Sequence, residues 1–148
     1  LKKTILLVED NPTDEKLTLL AFADCGVSND VVVVRDGAQA LAYLLPGGDA
    51  GGRQAALPAV VLLDLKLPKV DGLEVLRLVR ANDRTRHLPV VILTSSREEE
   101  DIMKSYELGA NAYVRKPVEF SAFAKAARTM GLFWLLLNEG PPDGEPAS

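Results

Sequence analysis

Cysteine is nearly missing from this 148-residue chain, where Cys25 stands alone. A lone thiol excludes an intramolecular disulfide and a multi-thiolate zinc site, and its helix-like surroundings suit a packed apolar group in a reducing compartment. Basic excess is missing too: 17 lysines and arginines face 21 aspartates and glutamates, for a net charge of -4. Without surplus cations to neutralise a phosphate backbone, general nucleic-acid binding is not expected, and proteins are the expected partners. No apolar run reaches the roughly 18 residues a bilayer span needs, and no cationic segment followed by an apolar stretch opens the chain. Neither export nor membrane insertion is expected, and the expected location is the cytoplasm. Glycine is absent from one informative place, after the first apolar run, where Glu9-Asp10-Asn11-Pro12 replaces the residues of a dinucleotide fingerprint or Walker loop. That substitution disfavours a nucleotide enzyme.

What is present is an alternation of two periods. With 47% hydrophobic and 26% charged residues the chain suits one globular domain with a single core. Short apolar strands are predicted at 4–8, 31–34, 59–64, 90–93 and 112–114. Between them, apolar residues recur at helical spacing: Leu17, Leu20 and Ala21 up to Gly26; Ala38, Leu41 and Leu44 after Asp36-Gly37; Leu73, Leu76 and Val79; then Ile102, Tyr106 and Leu108 before Gly109. Strand and helix in turn imply parallel strands with helices on both faces, which explains why the strands are solidly apolar rather than alternating. Residues 46–58 (PGGDAGGRQAALP) read as a tolerated surface insertion. Lone His87 reads as a solvated loop residue, and the acidic run 98–101 as charge suited to a helix start.

The residues that end the strands form a chemical set. Glu9 and Asp10 follow the first strand, Asp64 the third, Thr94 the fourth and Lys116 the fifth. In an open parallel sheet, the carboxyl ends of the strands border the ligand crevice. Carboxylates gathered there repel one another unless a cation sits among them, and hard oxygen ligands beside a phosphoryl site suggest Mg²⁺. Positive charge from the metal and Lys116 would make Asp64 a tolerable target for a phosphoryl group, forming an acyl phosphate. The Thr94 hydroxyl could donate to a phosphoryl oxygen.

The order Glu9-Asp10, Asp64, Thr94, Lys116-Pro117 resembles the receiver domain of two-component response regulators. The resemblance implies a flavodoxin-like doubly wound fold, with five parallel strands, helices on both faces and an extended C-terminal helix. It further implies Asp64 as phosphoacceptor, Asp10 as a direct Mg²⁺ ligand, Glu9 as an indirect one through water, and the Lys66 backbone carbonyl as another. The Lys116 ammonium would pair with the phosphate, the Lys116–Pro117 bond would be cis, and Thr94 with Tyr113 would form the switch pair. Tyr113 as plain sheet surface is the other reading of that position. Glu9 stands where many members have Asp. Such a protein takes its phosphoryl group from a sensor histidine kinase and, apart from its own phosphorylation and autodephosphorylation, is not an enzyme. A pseudo-receiver that docks without phosphorylation is the alternative within the same fold. A haloacid-type phosphatase would need an Asp where Lys66 stands.

The last apolar stretch, 121–137, carries Phe123, Ala127, Met130, Trp134 and Leu137 at helical spacing. Leu132, Phe133, Leu135 and Leu136 add a second apolar side, which either folds back on the domain or forms a homodimer interface. The run 130–137 resembles that of stand-alone regulators partnered by phytochromes, which implies a bacteriophytochrome-type kinase. Residues 1–137 are expected to be the receiver domain and 138–148 (NEGPPDGEPAS) a disordered acidic tail.

Overall fold

Runs such as ILLV, VVVV and VVLL have no polar face to show to water, so they form a sheet only if both sides are covered. The computed structural model describes residues 4–24, 30–45, 57–95, 98–116 and 125. Within them the order is β1 (Ile5–Val8), α1 (Pro12–Asp24), β2 (Val31–Val34), α2 (Gly37–Leu44), β3 (Val60–Leu63), α3 (Gly72–Ala81), β4 (Val90–Thr94), α4 (Glu99–Glu107) and β5 (Ala112–Arg115). The strands pair in the order β2-β1-β3-β4-β5, all parallel. Cys25, the glycine-rich connection at 46–56, Pro117 with the Lys116–Pro117 cis bond, and the interface set Leu132, Phe133, Leu135 and Leu136 lie outside the described residues. The predicted fifth helix, apart from residue 125, and the tail lie there as well.

Because successive strand residues point to opposite faces, the sheet divides its side chains between two cores. Leu6, Val8, Val61, Leu63, Val90 and Ile92 pack with Ala40 and Leu44 of α2 and Val75, Leu76 and Val79 of α3. Ile5, Leu7, Val60, Leu62, Val91 and Leu93 pack on the other side, with Phe22 of α1. Both faces are therefore closed by helices, as the unbroken apolar runs require. Among the described residues no helix is long and apolar enough to cross a membrane.

Helix starts follow local chemistry. Asp36 caps α2 by accepting from the Gln39 backbone N–H at 2.7 Å, and Asp71 caps α3 through the Glu74 N–H at 3.1 Å. Asn11-Pro12 begins α1: Asn11 Oδ1 accepts from the N–H groups of Thr13 and Asp14, and Pro12 takes the first helical position. At α4 the cap position, Glu98, makes no side-chain cap bond, so the acidic run acts through charge in the first turn.

The loop after β3 is held against its neighbours at three points. Gly72 donates to the Leu65 carbonyl at 2.9 Å, Gly37 donates to the Pro68 carbonyl at 3.3 Å, and Lys69 Nζ lies 3.5 Å from Asp36. A side chain at Gly72 would run into the Asp64 carbonyl, so glycine is required there by close approach.

Candidate phosphoryl-transfer site

The two-residue strand period decides which polar groups meet. Ile5 and Leu7 belong to the α1-side core, and Glu9 continues that row; Asp64 continues Val60 and Leu62, and Lys116 continues Ala112 and Val114. In register, Val8 lies beside Leu63, so Glu9 and Asp64 leave adjacent strands at the same level. Lys116 reaches in from β5, and its backbone N–H is anchored to the Thr94 carbonyl at 2.8 Å.

Its ammonium meets three carboxylates. Lys116 Nζ donates to Glu9 Oε1 at 2.6 Å, Asp64 Oδ2 at 2.9 Å and Asp14 Oδ2 at 2.9 Å. An ammonium has three protons to donate, and each has an acceptor. Glu9 also accepts from the Asn11 N–H, and Asp64 Oδ1 accepts from the Lys66 N–H at 3.3 Å. Glu9 and Asp64 are buried, at 1% and 7% exposure, whereas Asp10 is exposed. Thr94 is fully buried at the end of β4.

Burial and charge pull these groups apart. Burial pushes the Glu9 carboxyl up to about 7, against the Lys116 hydrogen bond and charge and with the Asp64 charge adding to the rise. For Asp64 burial acts upward too, but the Lys116 hydrogen bond and charge hold it below the usual carboxylate range. Burial alone would lower Lys116; the bonds to Glu9, Asp64 and Asp14 outweigh it and raise the ammonium. Asp64 therefore stays ionised while its neighbour Glu9 retains a proton more readily.

Glu9, Asp10 and Asp64 each offer an oxygen within 4.8 Å of the others, an all-oxygen set that fits a hard divalent cation. The other expected residues take varied places. The Lys66 side chain turns outward, 3.8 Å from Asp101, leaving only its backbone near Asp64. Tyr113 is half-buried against the α3-side core, the face to which Thr94 also belongs by strand period. Ser95 beside Thr94 is exposed. Asp14 was not among the residues expected from the sequence. Its signal was available: it lies in the first turn of the helix that begins directly after Glu9-Asp10, so it overhangs the same strand ends.

The sequence matches the response regulator receiver domain over residues 5–128. The chain belongs to that family. Among the receiver's relatives is the response regulator Rcp1 of Synechocystis, 37% identical over 133 residues, which are 90% of this chain and 89% of Rcp1. The solved structure of the phosphorylated cyanobacterial phytochrome response regulator RcpA is 39% identical with a TM-score of 0.89, covering 96% of this chain and 100% of that one. The bacteriophytochrome response regulator RtBRR is 59% identical with a TM-score of 0.75, covering 96% of this chain and 86% of that one. Rcp1 has also been solved in a Mn(2+)-bound form, 36% identical, TM-score 0.86, covering 95% and 99%. The five-stranded parallel receiver fold expected from the sequence is the one these relatives have. This receiver is therefore a response regulator of the two-component type, related to regulators of phytochromes, and a histidine kinase is the partner the family implies.

Proposed function

We propose that this receiver accepts a phosphoryl group on Asp64 from the phosphohistidine of a sensor kinase, in a Mg²⁺-dependent reaction. The observation that supports it is the buried, ionised Asp64 carboxylate held by Lys116, with the Glu9, Asp10 and Asp64 oxygens close enough to share one cation. Asp64 attacks phosphorus through a carboxylate oxygen; an O–P bond forms as the N–P bond breaks, and the imidazole leaves with that electron pair and takes a proton from solvent. Asp10, Asp64 and the Lys66 carbonyl would hold Mg²⁺, with Glu9 acting through water, and the ion would offset charge on the transferring oxygens. Lys116 supplies a second, fixed positive charge. Thr94 donates to the new phosphoryl oxygens, and its shift, with that of Tyr113 on the same face, changes the surface that partners read.

Two finer readings belong to the same proposal. The kinase is of the bacteriophytochrome type, supported by 59% identity to RtBRR over nearly the whole chain. The protein forms a homodimer through Leu132, Phe133, Leu135 and Leu136, supported by an apolar run wider than one helix face needs.

The test is intact mass after incubation with phosphoramidate, with and without Mg²⁺. A Mg²⁺-dependent gain of one phosphoryl group, lost in Asp64→Asn, is expected. No gain in folded protein, even with an active cognate kinase, would instead favour docking without phosphorylation.

A further inference from the structure

Lys116 has three protons and three carboxylate acceptors, so any phosphoryl oxygen it binds must displace one of them. The three are not equally easy to give up. Glu9 is buried and makes the shortest bond; Asp64 carries the phosphoryl group itself. The Asp14 side chain is 28% exposed, so water can replace the ammonium there at little cost. Its backbone, by contrast, is fixed: its N–H donates to Asn11 Oδ1 at 3.1 Å, and its carbonyl accepts from the buried Thr18 hydroxyl at 2.8 Å. Only the side chain is left to move. Asp14 is not one of the three carboxylates, Glu9, Asp10 and Asp64, whose oxygens are close enough to share an ion.

From this geometry we infer that Asp14 is a positioning residue: in the unphosphorylated protein it holds the Lys116 ammonium toward α1, and it opposes capture of that ammonium by a phosphoryl group on Asp64. The inference rests on the reading of Asp64 as phosphoacceptor. Asp14 acts as a neighbouring competitor for one cation, and its strength sets how firmly the phosphoryl group is held.

The experiment measures the affinity for beryllium fluoride, a phosphoryl mimic, at saturating Mg²⁺, and separately the affinity for Mg²⁺ alone. Asp14→Asn and Asp14→Ala are each expected to bind beryllium fluoride about threefold more tightly, the scale of a partly exposed ion pair. Mg²⁺ affinity stays within about twofold of wild type, and Asp14→Glu, which keeps the charge, returns the affinity toward wild type. In a Lys116→Met background the gain disappears, because Asp14 acts through the ammonium. Unchanged beryllium fluoride affinity in both variants would overturn the inference, as would a gain that persists without Lys116 or a parallel change in Mg²⁺ affinity. If folded wild type does not bind the mimic at all, or binds it equally well as Asp64→Asn, the reading of Asp64 fails and this inference with it.

Discussion

At the scale of single residues, the site is a contest between burial and charge, and Glu9 shows which wins where. Its carboxyl is raised from 4.5 to about 7, so the folded, metal-free protein binds its proton more tightly than the unfolded chain does. Such a group favours folding fully at pH below about 4.5 and withdraws that support as pH rises toward 7. In chelator, the unfolding free energy of wild type relative to Glu9→Gln should therefore fall across this window, by on the order of 3 kcal/mol. Urea titrations of both proteins at several pH values check it; parallel pH profiles would contradict the assignment. Asp64 lies only one strand away yet shifts the other way, because the Lys116 hydrogen bond and charge outweigh the effect of its burial. A sequence can list these carboxylates, but which one keeps a proton depends on who donates to whom.

At the scale of elements, the strand ends work because the turns beyond them are held. Arg80, near the end of α3, is the clearest case: its guanidinium donates to the carbonyls of Leu88 at 2.7 Å, Gly109 at 2.9 Å and Arg86 at 3.1 Å, and to Asn111 Oδ1 at 2.9 Å. Asn111 Oδ1 in turn accepts from the Val90 N–H at 2.8 Å, so one cation ties together α3, the entry to β4 and the turn into β5. Burial lowers the Arg80 pKa without threatening its charge. Arg80→Lys replaces a planar fork with a point donor that cannot meet all four acceptors, and is expected to cost about 2 kcal/mol, measured by urea unfolding. A loss under about 0.5 kcal/mol would show that water serves those carbonyls equally well. The helix positions themselves were legible: Asp36-Gly37 marked the start of the second helix, and the apolar periods gave every element described, whereas the cap at Asp71 came only from the structure. Arg80 was not, since nothing in its neighbourhood in sequence points to acceptors about 30 positions away.

At the scale of the whole molecule, the proposed signalling depends on a surface that changes with the state of Asp64. The proposed dimer places that surface at the apolar run near the C-terminus. Leu136→Glu should convert the protein to a monomer in sedimentation equilibrium while leaving Mg²⁺-dependent phosphorylation intact; an unchanged mass would remove the interface. Separating the two readouts matters, because the described groups that bond at the pocket come from the ends of β1, β3 and β5 and from the first turn of α1.

By itself, the sequence determined the fold class and the acidic edge. Solid apolar strands alternating with helical periods admit a parallel sheet covered on both faces, and polar residues that close such strands must gather at one edge. Glu9, Asp10, Asp64, Thr94 and Lys116 were legible for that reason, because strand topology converts order along the chain into proximity. What only the tertiary structure decided is how the charge is shared. Asp14 enters the set because α1 folds back over the strand ends, and Lys116 divides its three protons among carboxylates drawn from positions 9, 14 and 64. Hydrogen bonds are directional and short, so which acceptor an ammonium meets is fixed by distances of a few tenths of an ångström, which a pattern of residue types does not contain.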